Sequence, residues 1–166
     1  MRPLHPRTPI IVGIGFVQQK LDDPSACAEP YRLMVEAARG AAGDAGSLAL
    51  LGQLDSITVA RGGWDYPNPG ALIREELGCP KAQSILGELG VLQLQLVSDL
   101  CRAIVAGEQD VGLVTGGEAK YRMLRGTITG QAVVDTEQRA DAPPPDVHIN
   151  SADPWGTDLE AQRGLA

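Results

Sequence analysis

Two kinds of side chain in this 166-residue chain could carry chemistry: three thiols and a short basic cluster. A cysteine becomes a nucleophile when a helix N-terminus or a nearby cation stabilises its thiolate. Cys101 stands inside an apolar run, where packing and suppressed ionisation are expected. Cys79 precedes a β-type segment and would lie at the N-terminal edge of a sheet, opposite the edge where α/β proteins hold ligands. Cys27 would lie on the favourable edge, but in a polar loop. No catalytic cysteine is expected, and an odd number without ligand spacing favours reduced thiols over disulfides or a metal site. Lys120, Arg122 and Arg125, with Tyr121 among them, could meet the phosphates of a ligand if further chain completes a groove. As three basic residues in a loop they equally fit a solvated surface. Gly13-x-Gly15 is a partial dinucleotide fingerprint. Gln18 replaces the third glycine and the second strand runs into Arg61 rather than an acid, so it reads as a strand–loop turn.

The elements that would position these groups alternate. Thr8–Gly15 (TPIIVGIG) is expected to be a short buried strand. Pro30 suits a first helical position, and Leu33, Ala37, Ala38, Ala41, Ala42 and Ala45 follow at helical spacing, with Gly46 as the stop. Leu54–Ala60 alternates like a strand. Asn68-Pro69 opens a short helix that Gly78 and Pro80 end. Ala82–Leu86 is a third strand. A long helix over about 91–106 presents Leu92, Leu96, Val97, Leu100, Cys101, Ile104 and Val105 on one face, and Val111–Thr115 is a fourth strand. Strands alternating with helices predict a mostly parallel α/β sheet with helices on both faces. From Lys120 the periodicity dissolves: Tyr121–Arg125 is loop-like, three prolines follow Ala142, and a short helix is possible near Asp158–Arg163.

A chain of this size can bury a core of its own. Its net charge of −7 argues against a nucleic-acid surface or a polybasic membrane anchor. Neither a signal peptide nor a bilayer-length apolar run is seen, so no membrane partner and a cytoplasmic location are expected.

Three segments carry a family resemblance. Gly90-Val91-Leu92-Gln93, Ala106-Gly107-Glu108-Gln109-Asp110-Val111 and Gly116-Gly117-Glu118 follow one another in the order of the nucleophile segment of the thiolase superfamily. In catalytic members a cysteine begins a long helix, "AGE-x-D-V" closes it and a strand ending in "GG-x-E" follows. Thr8–Gly15, Leu54–Ile57 and Arg61-Gly62-Gly63-Trp64-Asp65-Tyr66-Pro67 resemble, more narrowly, actinobacterial thiolase-like and sterol-carrier-type thiolase proteins. The resemblance covers roughly residues 8–126.

The resemblance implies a thiolase-like N-terminal α/β domain over residues 1–119. Residues 120–166 would then be a poorly patterned tail at the start of an inserted loop region. It implies an incomplete version of a body built from two five-stranded halves. It places Gly90 where the family has its cysteine. A glycine cannot be acylated, although it also suits a tight turn. The "GHP" histidine and second cysteine of the other half have no counterpart, since His5 lies in a proline-rich lead-in and His148 in the tail. The implied function is binding of coenzyme A thioesters of lipid or sterol type, with no other cofactor and no acyl-enzyme. Gly90, Val91, Lys120, Arg122 and Arg125 would be the binding residues. The alternative is a non-catalytic half that pairs with a second copy, through the strand Ala82–Leu86, or with a complementary C-terminal half. By itself the chain is expected to be inactive as an acyltransferase.

Overall fold

A central strand buried on both faces organises the molecule. The computed structural model describes residues 5–139, 141–150 and 163. Strand β1 (Ser56–Ala60) is paired in parallel on one side with β2 (Gln83–Gly87) and on the other with β3 (Gly112–Thr115). A fourth strand, β4 (Val147–Ile149), adds in parallel to the outer edge of β2, giving the order β3-β1-β2-β4. Alternation of side chains sends Ile57, Val59 and Leu86 to one face, where they meet Met34 and Val35 of α1 (Pro30–Asp44) and Ile73 of α2 (Pro69–Leu77) in a single core. Leu96 and Leu100 of α3 (Gln93–Ala106) lie over Gly87 and Gly112 on the other face. Helices thus cover both faces of an all-parallel sheet, as the alternation of elements predicts.

Local chemistry fixes the helix ends. Asn68 Oδ1 accepts from the Ala71 N–H at 3.0 Å, with Pro69 at the first helical position. Gly78 and Gly107 close α2 and α3 in the left-handed conformation. Helix α3 starts at Gln93 rather than near residue 91, and of its expected apolar face only Leu96 is buried, while Leu92 and Val105 stay exposed.

Two expectations fail. Thr8–Gly15 is not a buried strand. The segment runs past α1 without joining the sheet, its glycines pressed on the helix backbone and its large side chains turned to solvent. A Cβ on Gly13 would sit 2.0 Å from the Ala41 carbonyl oxygen and one on Gly15 1.8 Å from that of Ala37, so only glycine permits this approach. Tyr121–Arg125 is not a loop. It forms half of a helix, α4 (Lys120–Thr129), which Gly130 ends. Lys, Arg, Met and Leu are good helix formers, and a polar surface helix carries little apolar periodicity to betray it.

The unpatterned tail is held by side chains bonded to backbone. Gln138 bonds reciprocally with the Asn68 backbone, at 2.8 Å each way. Asp146 accepts from Ser84 N–H at 2.7 Å and Ser84 Oγ–H at 2.9 Å, which sets β4 beside β2. The helix expected near Asp158–Arg163 falls, Arg163 apart, outside the described residues.

Three tail contacts titrate in the same direction. The Asp146 carboxyl is lowered chiefly by the Ser84 N–H and hydroxyl. Burial raises the Glu29 carboxyl, but bonds from Thr136 and Tyr66 outweigh it and leave it low. Glu88 is likewise raised by burial and lowered overall by His148 and Arg61. A carboxylate depressed in the folded state stabilises above its ordinary value, about 4, and loses that stabilisation as pH falls through the lowered value. Denaturant unfolding followed between pH 6 and pH 2.5 is expected to show stability falling below about pH 4. Asp146→Asn should lose about 1 kcal/mol at pH 7 and flatten that dependence.

Candidate binding cavity at the sheet edge

The C-terminal ends of β1 and β3 are locked together by the residues that follow them. Trp64 Nε1–H donates to the Gly117 carbonyl at 3.0 Å, and Glu118 Oε1 accepts from the Gly63 N–H at 2.9 Å. Trp64 is buried and stacks at a tilt on Tyr66, with 5.3 Å between centroids, while the Arg61 guanidinium lies 5.6 Å from the Trp64 ring. This cluster is a packing unit, and it carries the chain from β3 into α4 at a fixed angle.

Beside it opens a cavity of about 260 Å³. Its wall combines the first turn of α4 (Lys120, Tyr121, Arg122) and Glu118 with Phe16–Lys20, Cys27 and Leu33. Three cations, Lys20, Lys120 and Arg122, face one carboxylate there, in a chain of net charge −7. Helix α4 has no side-chain N-cap, so its first N–H groups add positive potential at this wall. Arg122 forms an ion pair with Asp135 and donates through Nη2 to the Val134 carbonyl at 2.9 Å. Its Nε–H is buried with no partner among the described residues. A buried donor left unpaired costs about 1–3 kcal/mol. An acceptor that entered the cavity and reached this group would remove the cost.

The structure divides the five candidate binding residues. Lys120 and Arg122 line the cavity together. Arg125 is directed to Asp22, with Nε 3.0 Å from its carbonyl and Nη2 3.4 Å from its carboxylate. Gly90 and Val91 belong to the turn Glu88–Val91, closed by a 3.1 Å bond from Val91 N–H to the Glu88 carbonyl, and do not line the cavity. Gly90 has φ 93°, a left-handed backbone that favours glycine.

Sequence reasoning left two groups without a role that the structure places near these elements. Cys27 lines the cavity, buried, with Sγ 3.7 Å and 3.6 Å from the Leu21 and Asp23 carbonyl oxygens, either of which can accept from the thiol. His148 Nε2 lies 2.6 Å from Glu88 Oε1, and Arg61 Nη1 is 3.4 Å from the same oxygen. No local motif marks either, because each depends on a pairing between distant segments. Cys79 is buried at the start of β2, its thiol pushed up by burial. Among the described residues no cluster could hold a metal ion.

A likeness to solved thiolase-type structures accompanies this geometry. No family model and no curated protein matches the chain. A monomeric SCP2-thiolase-like protein of type 1 from Mycobacterium smegmatis superposes with a TM-score of 0.52 at 25% identity, over 68% of this chain and 24% of that one. The cerulenin-bound OleA of Xanthomonas campestri, also of the thiolase superfamily, gives 0.50 at 16% identity, over 66% of this chain and 34% of its own. The latter shows the fold alone. The chain is therefore a partial thiolase-like α/β fold, spanning about a quarter and a third of the two neighbours' lengths. No helix of the described residues is long and apolar enough to cross a membrane.

The Gly90 backbone makes a prediction. Gly90→Ala should cost about 1–2 kcal/mol, because a Cβ is disfavoured at positive φ. Urea unfolding measures it, and an unchanged midpoint would show that the turn relaxes freely.

Proposed function

We propose that this chain binds coenzyme A thioesters, of lipid or sterol type, at the sheet-edge cavity and does so without forming an acyl-enzyme. The observation that carries this reading is the grouping of Lys20, Lys120, Arg122 and the uncapped start of α4 around one cavity, with Arg122 Nε unpaired among the described residues. These are donors for phosphate or for a thioester carbonyl. Phe16, Val17 and Leu33 supply apolar wall for a pantetheine or acyl arm. The thiolase-like fold supports the ligand class. Binding without acylation rests on Gly90, which offers no nucleophile where the resemblance places the family's cysteine.

Titration calorimetry with coenzyme A and acetyl-coenzyme A tests it. Binding should weaken as salt rises, and Lys120→Ala and Lys20→Ala should each reduce affinity about fivefold, near 1 kcal/mol. Absence of heat with both ligands, or affinity indifferent to both lysines, would refute the reading. Incubation with acetyl-coenzyme A followed by tryptic mass analysis should show no hydroxylamine-labile acyl group on any cysteine peptide.

A second reading is favoured by the exposed Leu94 and Val105 of α3, with Leu92 just before it. A helix bearing apolar residues on its outer side fits a half that works against a complementary C-terminal half.

A further inference from the structure

The central strand of an all-parallel sheet is covered on both faces and ordinarily carries apolar side chains on each. Strand β1 departs from this. On the face under α3 it places Ser56 and Thr58, which are 0% and 3% exposed. The helix reaches that face where the sheet has no side chain, with Leu96 over Gly87 and Leu100 over Gly112. Small side chains lie between these two contacts, and a second cavity of about 220 Å³ remains there. Its walls are mostly apolar, formed by Ile85, Leu96, Leu100, Ala103, Val147 and Ile149. It shares no lining residue with the cavity beside α4. Polar groups reach it as well. Ser56 Oγ–H donates to Gln109 Oε1 at 2.6 Å, which leaves the Gln109 side-chain N–H groups without a partner among the described residues. Thr58 also lines the cavity, and its hydroxyl makes no hydrogen bond among the described residues. Asp99 adds a carboxylate, paired with the exposed Arg102.

We propose that this second cavity binds a small neutral aliphatic molecule with a hydroxyl head, a primary alcohol of about six to eight carbons. Size sets the length, since an apolar cavity of about 150 Å³ already takes a six-carbon ring. The apolar walls set the tail, because water there would find few partners. The unpaired groups set the head. A hydroxyl accepts from the Gln109 side-chain N–H and donates to the Thr58 oxygen, satisfying both at once. A buried hydroxyl left without a partner is costly, so this bond favours the occupied state. A carboxylate head would meet the charge of Asp99, and an ammonium would find that charge already engaged by Arg102. The site is separate from the coenzyme A reading and stands if coenzyme A does not bind.

Calorimetric titration of 1-hexanol into the full chain tests the proposal. A single equivalent should bind, with a Kd between about 10 µM and 1 mM for a ligand of this size. Hexanoate, of equal length but charged, should bind at least about tenfold more weakly. Thr58→Val keeps the cavity and removes the hydroxyl, and should weaken 1-hexanol about fivefold. Ala103→Phe fills the cavity from α3 and should abolish saturable binding, with an unchanged circular dichroism spectrum. If that variant does not fold, the hexanoate comparison and Thr58→Val decide. Coenzyme A should not compete with 1-hexanol, because the two cavities share no wall. The proposal is overturned by absence of saturable heat, by hexanoate binding as tightly as the alcohol, by competition from coenzyme A, or by an affinity indifferent to Thr58→Val.

Discussion

The buried carboxylate of Glu29 is the constraint on which the assembly of distant segments rests. Removing a carboxylate from water costs several kcal/mol unless it is fully bonded. Here the Tyr66 hydroxyl donates to it at 2.9 Å, the Thr136 N–H at 2.5 Å and the Thr136 hydroxyl at 2.8 Å, with the Arg32 guanidinium 3.4 Å away. The acceptor and its two main donor residues come from three different parts of the chain. Glu29 stands at the start of α1, Tyr66 in the loop after β1, and Thr136 in the tail. Once these are joined, the neighbours of Thr136 have little freedom. Asp135 reaches Arg122, Gln138 reaches Asn68, and the chain then runs to Asp146, which sets β4 beside Ser84. Burial and the Glu29 contact also keep Tyr66 protonated, its ionisation pushed well above the ordinary tyrosine range. It therefore stays a donor at any ordinary pH.

This network explains which parts of the fold were legible in the sequence. The central strands and the first three helices announce themselves through period and caps: Ile57 and Val59 alternate with Ser56 and Thr58, Asn68-Pro69 starts a helix, and Gly46, Gly78 and Gly107 end three. Such signals are local. The tail is held by single side chains bonded to remote backbone, a pattern with no period, so neither β4 nor the Glu29 contact could be read in advance. Thr8–Gly15 fails for the complementary reason. Its β-branched residues read as a strand, but strand pairing belongs to the partner strand, and here Gly13 and Gly15 bring the segment to a helix instead.

The candidate site divides along the same line. Residue type alone singled out Lys120 and Arg122 as cations, and the cavity brings them together. Type could not show that Asp135 takes part of the Arg122 fork and leaves Nε without a partner among the described residues, or that Asp22 engages Arg125. At Gly90 the absent thiol and the φ of 93° describe one design: the turn from Glu88 to Val91 uses a backbone that a cysteine would strain. Glycine there is explained by the turn itself, without reference to a reaction.

Phe16 sits on the wall that a ligand would meet. It is 83% exposed and lines the cavity beside Val17 and Gln18. The backbone just before it is held in place, because Gly13 and Gly15 rest on α1 at Ala41 and Ala37. A ligand arm packed on this ring would remove apolar surface from water while ordering a side chain with few rotatable bonds. The cost of binding there is therefore small beside the cost of ordering a free segment, which is what a preformed wall contributes.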